Sequence, residues 1–236
     1  MVANRLRTED FMADRIGIFG GSFNPVHLGH LIMAECCLEQ ARLDRVLFVP
    51  AAIPPHKQDQ QLAPCNERIE MLRLATSGHD RFAVCSDECD RSGVSYTLDT
   101  VTSLREQFPE ADLSLVLGPD ALASLPTWRG PERLASLVTI LALERQGLDN
   151  LETVLQQPAL RQVLPAGRAE QILAERIRVP AIAIRASEIR DAVAAGRSIR
   201  FRTPRAVEQY ITQRELYRSS PGGGFTDPEA AGPADG

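Results

Sequence analysis

The sequence predicts an α/β protein built on a doubly wound parallel sheet, with a small helical part at its C-terminus. Three observations lead there. Short apolar runs alternate with segments of helical periodicity along most of the 236 residues, the pattern of parallel strands joined by crossover helices. The first apolar run ends in Gly20-Gly21 and passes directly into a helical pattern, which is how such sheets open a ligand crevice. The composition, 44% hydrophobic and 24% charged, suits a sizeable globular core.

The elements follow in order. Residues 1–13 mix charges with single apolar residues and read as a flexible extension, with Met12 a second candidate start. The domain is expected over 14–218. Ile16–Phe19 is the first strand. Leu28–Leu43 is helical, with Leu31, Ala34, Leu38 and Ala41 on one face. Val46–Val49 is a strand ended by Pro50, and a long loop runs to residue 64. Asn66–Thr76 is a helix with Asn66 as its expected N-cap. Phe82–Val84 is a short strand, and Thr97–Phe108 a helix closed by Pro109. Leu113–Leu117 and Val138–Leu143 are strands. Residues 144–178 read as an irregular polar insert, broken by Pro158 and Pro165. Ala181–Ile184 is the expected last strand. Ser187–Ala195 is a helix N-capped by Ser187 and ended by Gly196, and Pro204–Gln213 is the final helix. Residues 219–236 are rich in Gly, Pro, Ala and Asp and are expected to be a disordered tail.

The net charge of −5 carries no basic footprint for nucleic acid. No stretch is apolar enough to span a membrane, and the N-terminus lacks the apolar core of a signal peptide. The five cysteines have no zinc spacing, so reduced thiols in a cytoplasmic protein are expected.

The chemistry concentrates in Gly17-Ile18-Phe19-Gly20-Gly21-Ser22-Phe23-Asn24-Pro25-Val26-His27-Leu28-Gly29-His30. The glycines can form an anion nest, and the helix that follows offers free N–H groups and a positive dipole end. His27 and His30 are three apart, so both lie on one face of the first turn. Two imidazole donors suit a pentavalent phosphorus, whose equatorial oxygens gain charge. Gly29 is expected to leave room for phosphate or base. No Gly-Lys-Ser/Thr follows, which excludes a P-loop, and the histidines have no place in a dinucleotide fingerprint.

Further segments sit just after predicted strands. Pro54-Pro55-His56-Lys57 stiffens a loop and carries a cation. Ser95-Tyr96-Thr97 lies where a loop becomes a helix, so its N–H groups can hold a carboxylate or Thr97 can act as a cap. Asp120 follows a strand in Leu117-Gly118-Pro119-Asp120, and Trp128, the single tryptophan, can stack on a flat ring. Ile184-Arg185-Ala186-Ser187-Glu188-Ile189-Arg190 makes a second anion site at a helix start.

This set resembles the bacterial nicotinate-mononucleotide adenylyltransferases of the HxGH nucleotidylyltransferase superfamily. The likeness runs from about Arg15 to Arg218, with the motifs in family order and a terminal Leu216-Tyr217-Arg218. It implies a Rossmann-like sheet and adenylyl transfer from ATP to nicotinate mononucleotide, with magnesium accompanying the ATP. It implies that His27 and His30 act on the ATP phosphates, and that Gly20, Gly21, Ser22, Phe23, Ser187, Ile189 and Arg190 complete the ATP site. It assigns Lys57, Tyr96, Thr97, Asp120 and Trp128 to the acceptor, and no metal to the protein itself. Expected partners are the two substrates, with no nucleic acid and no membrane, and a homo-oligomer is left open. Asn24 stands where the family more often has Asp, and Arg185-Ala186 replace small hydroxyl residues. The competing readings are another acceptor on the same fold, such as nicotinamide mononucleotide or phosphopantetheine, and a nucleotide-binding regulator without turnover. A class I synthetase fragment would need a lysine-rich second signature that is absent.

Overall fold

A computed structural model describes residues 15–53, 62–91, 93–148 and 150–218. Its centre is a six-stranded, all-parallel sheet of order β3-β2-β1-β4-β5-β6. The strands are β1 (Arg15–Gly21), β2 (Arg45–Pro50), β3 (Phe82–Val84), β4 (Asp112–Leu117), β5 (Thr139–Arg145) and β6 (Ile177–Val179). The winding reverses between β1 and β4, so the crevice beyond those two strand ends is where a ligand site is expected. Both central strands are buried along most of their length, as a sheet covered on two faces requires.

One core layer lies under α4 (Thr97–Gln107), α5 (Pro119–Ser124), α6 (Pro131–Leu137), α7 (Leu151–Leu155), α8 (Pro158–Val163) and α9 (Arg168–Ala174). The other lies under α1 (Leu28–Gln40), α2 (Cys65–Thr76), α10 (Ala186–Ala194) and α11 (Arg205–Gln213). The short α3 (Asp87–Arg91) follows β3. Among the described residues no helix is long and apolar enough to cross a membrane.

Several expectations change. The described part of residues 144–178 is not irregular: α7, α8 and α9 bury Leu151, Leu155, Leu160, Val163 and Ile172 in the first core layer. Each helix is too short to show a full apolar stripe, which hid the pattern. The last strand lies at Ile177–Val179, before residues 181–184. Ile177 and Val179 point inward while Arg178 is exposed, and Pro180, with no N–H to give, ends the pairing. The free edge of β6 is met by the Gln40 side chain, which accepts from Arg178 N (2.9 Å) and donates to Arg178 O (2.8 Å).

The caps also shift. The Pro64 carbonyl accepts from Arg68 N, so α2 starts before Asn66, which makes no cap bond. The Arg185 carbonyl accepts from Ile189 N, so α10 starts at Ala186 and Ser187 lies inside its first turn. Tyr96, rather than Thr97, is the N-cap residue of α4. Gly196 takes the left-handed conformation just past α10, as its expected role at that helix end requires. Cys65 and Cys89 are joined in a disulfide, which corrects the expectation of reduced thiols for that pair. Lys57 and the proposed terminal extensions lie outside the described residues.

Candidate active site

The site grows from the end of β1. Gly20 is exposed, and a side chain there would meet nothing within 4 Å, so the chain is open to an approaching ligand. Gly21 serves a different purpose: a Cβ there would lie 3.1 Å from the Phe23 ring. Phe23 is buried and holds a left-handed φ of 44°, an uncommon state for a large residue. Its ring meets His30 edge to face at 5.0 Å, and Phe19 and Phe48 pack around it.

His27 is the N-cap of α1, and its backbone N–H donates to His30 Nδ1 (3.2 Å). That bond leaves the neutral His30 proton on Nε2, which becomes a donor facing away from the backbone. The two rings stack at 3.7 Å between centroids. Burial pulls the His27 pKa down to about 4. Burial first, and the neighbouring His27 second, hold His30 well below the usual histidine range. Both rings are therefore neutral donors at pH 7. His27 Nδ1 is buried and has no partner among the described residues. The site thus holds an unsatisfied polar atom, as one awaiting a phosphate oxygen would. Gly29 makes room for the His27 ring itself, since a Cβ there would sit 3.0 Å from Nδ1. This revises the expectation that it clears space for a ligand.

Arg190 reaches the same turn, donating from Nη1 to Asn24 O (2.8 Å). Ser187 is exposed on the first turn of α10. Ile189 is fully buried, and its N–H is spent on Arg185 O. Its side chain supports α10 from the core side.

The acceptor side forms around the start of α4. Ser95 docks on the segment after β2, with Ala52 N donating to Ser95 Oγ (2.8 Å) and Ser95 N donating to Ile53 O (3.1 Å). The Arg129 guanidinium lies 4.9 Å from the Tyr96 ring centre and 3.2 Å from Asp99 Oδ2. Leu98 packs so close to Gly130 that a Cβ there would come within 2.9 Å. The Tyr96-Thr97 and Trp128 segments are therefore neighbours, as their assignment to one ligand requires. Trp128 is half-buried, its indole N–H donating to Ser124 Oγ (3.1 Å). Asp120 is exposed in the first turn of α5. A hollow of about 150 Å³ beside this segment is lined by Glu88, Arg91, Ser95, Tyr96 and Asp99 among others.

Sequence reasoning missed Arg68 and the role of Asn24. Arg68 carried a signal: it shares a helix face with Leu72 and Ala75, where a charge is out of place unless it is bonded. Asn24 Oδ1 accepts from Ala63 N (3.1 Å) and from the Tyr217 hydroxyl (2.8 Å). A carboxylate could accept the same two bonds, so the exchange of Asp for Asn leaves this network standing.

A parallel sheet with a glycine turn, two neutral histidines and an arginine at its switch point defines a nucleotidylyltransferase. In agreement, residues 18–192 match the family model described as cytidylyltransferase-like. The probable nicotinate-nucleotide adenylyltransferase of Thermomicrobium roseum is 43% identical over 206 residues, 87% of this chain and 92% of that protein. The probable nicotinate-nucleotide adenylyltransferase of Thermus thermophilus is also 43% identical, over 86% of this chain and all of its own length. The chain belongs to the nicotinate-nucleotide adenylyltransferase family. Among solved structures, Plasmodium falciparum nicotinic acid mononucleotide adenylyltransferase complexed with NaAD matches with a TM-score of 0.67 at 18% identity, covering 86% of this chain and 97% of that one. That likeness concerns the fold.

Proposed function

We propose that this protein transfers the adenylyl group of ATP to nicotinate mononucleotide, releasing pyrophosphate and forming deamido-NAD for NAD biosynthesis. The observation that carries the reading is the pairing of the His27–His30 stack with the Ser95–Thr97 helix start around one sheet crevice. The acceptor phosphate oxygen attacks the α-phosphorus, and the bond to the bridging oxygen breaks as pyrophosphate departs with the electron pair. The attacking phosphate is already ionised near neutral pH, so the chain need supply no general base. Its work is to position both substrates and stabilise charge. His30 Nε2–H and the α1 N-terminus would donate to the phosphate oxygens, with Arg190 nearby. Tyr96 and Thr97 N–H groups, at a helix start without helical acceptors, would read the two oxygens of the nicotinate carboxylate. Trp128 would flank the pyridine ring, and Lys57 would reach phosphate.

The donors gathered at the motif are N–H groups, imidazoles and a guanidinium. They fit phosphate oxygens and do not fit a hard cation, which takes oxygen ligands. Magnesium would therefore belong to the bound nucleotide, with phosphate oxygens and water as its ligands. The cytoplasm, with its ATP pool, is the setting we assign.

Pyrophosphate release tests the reading. With ATP and magnesium, nicotinate mononucleotide should be the best acceptor in a panel with nicotinamide mononucleotide and phosphopantetheine. Preference for another acceptor would overturn the substrate assignment, and binding without turnover would make the protein a regulator.

A further inference from the structure

Arg68 is 1% exposed, and its guanidinium makes five hydrogen bonds. Nε donates to Ala63 O (2.9 Å), Nη1 to Ser22 O (2.8 Å) and Ala51 O (2.7 Å), and Nη2 to Ala52 O (3.2 Å) and Cys65 Sγ (3.2 Å). No carboxylate is among these partners. A buried cation bonded only to carbonyls and a sulfur is a poor device for stability, because its desolvation is repaid by no bonded counter-charge. What it does achieve is geometric. Ser22 belongs to the phosphate turn after β1, and Ala51 and Ala52 leave β2. Ala52 N also donates to Ser95 Oγ, and Ser95 N to Ile53 O. One planar fork thus spans the donor turn and the strip of backbone on which the Ser95–Thr97 segment rests.

We propose that Arg68 is a positioning residue that sets the acceptor pocket against the phosphate turn by holding Ser22, Ala51 and Ala52 at once. The proposal rests on the adenylyl-transfer reading. The acceptor's carboxylate is read by Tyr96 and Thr97 while its phosphate must reach the α-phosphorus, so the spacing between the two segments is a condition of transfer. A lysine keeps the charge but has three donors on one nitrogen and cannot span the same carbonyls.

The test compares wild type, Arg68→Lys and Ser95→Ala, with Ile172→Ala on α9 as a control that loosens the opposite core layer. KM for ATP, KM for nicotinate mononucleotide, kcat and the preference for nicotinate over nicotinamide mononucleotide are measured on folded protein. Arg68→Lys should raise the acceptor KM by about tenfold, the size expected for losing bonds to a charged group. It should shrink the acid preference and move the ATP KM far less. Ser95→Ala removes the next link, so it should show the same signature more weakly, and it serves alone if Arg68→Lys does not fold. Ile172→Ala should lower the melting temperature with both KM values unchanged. Equal rises in both KM values, or an unchanged acceptor KM in both site variants, would overturn the proposal. If wild type prefers another acceptor, the reaction assignment fails separately, and Arg68→Lys must still raise the KM of that acceptor. If wild type binds without turnover, calorimetric Kd values for ATP and nicotinate mononucleotide must show the same asymmetry.

Discussion

The Tyr217 hydroxyl donates to Asn24 Oδ1 at 2.8 Å, joining residues 193 apart in sequence. It is one of several bonds by which the C-terminal part holds the motif turn. Leu28 N donates to Arg202 O (3.0 Å), Thr203 Oγ1 to Val26 O (2.9 Å) and Arg190 Nη1 to Asn24 O (2.8 Å). The small helical part is thus a brace for the histidine turn. Tyr217→Phe removes one bond to Asn24 and keeps the ring. The expected cost is about 1 kcal/mol, or a melting temperature lower by about 2–4 °C. An unchanged melting curve would mean that the bond contributes nothing to folding.

Gly29→Ala tests how the histidine pair is seated. The new methyl would lie 3.0 Å from His27 Nδ1 and 3.1 Å from Cε1, so the His27 ring must shift by a few tenths of an ångström against His30. The helix itself should gain slightly, because alanine outranks glycine in helix propensity. Turnover should nonetheless fall by about 10²-fold, approaching the loss of one transition-state donor. His30→Ala should cost about 10²–10³-fold for the same reason. If Gly29→Ala retained full kcat, the orientation of His27 would not matter to the reaction.

The sheet, its winding and the position of the motif were legible because long apolar runs and a glycine turn are local signals. Burial of Ile16–Phe19 and Val46–Val49 is written in four adjacent residues each. What escaped notice depends on partners distant in sequence. Leu151, Leu155 and Leu160 read as scattered because three five- to seven-residue helices share one buried face only after folding. Nothing near Arg68 names Ser22 or Ala52 as its acceptors. Ser187 looked like a cap because its side chain suits the role, yet the backbone carbonyl of Arg185 fixes the helix start one residue earlier.

The buried histidines tie stability to pH. His27 titrates at about 4 in the folded chain, against 6.5 for an unperturbed histidine, because burial disfavours its charge. Between those values the unfolded chain binds the proton and the folded chain does not. Stability therefore falls as pH drops from 6.5 to 4 and is insensitive to this group outside that window. The slope is about 1.4 kcal/mol per pH unit, on the order of 3 kcal/mol across the window. Denaturant titrations at pH 7.5 and pH 5 should show His27→Gln losing less stability than wild type, by about 2 kcal/mol. Equal losses would show that His27 is not the group responsible.

The Cys65–Cys89 disulfide ties the start of α2 to α3 across 24 residues that include β3. Closing a loop of that length restricts the unfolded chain, worth about 3 kcal/mol. The other thiols offer little competition for mild reagents. Burial pushes Cys37 and Cys85 up to about 12, and burial together with Glu39 and Glu35 raises Cys36. Alkylation of native protein should thus leave Cys65 and Cys89 untouched until a reductant is added, and both should then be modified. Cys89→Ser should lower the melting temperature by about 6–12 °C, and reductant should have no further effect on that variant. Cys65 Sγ also accepts from Arg68 Nη2, so the same variant probes the acceptor side. If the disulfide only limits the unfolded chain, KM for the acceptor stays at its wild-type value; a rise would extend the Arg68 brace to α3. Alkylation of either cysteine in the absence of reductant would show the pair to be unbonded in solution.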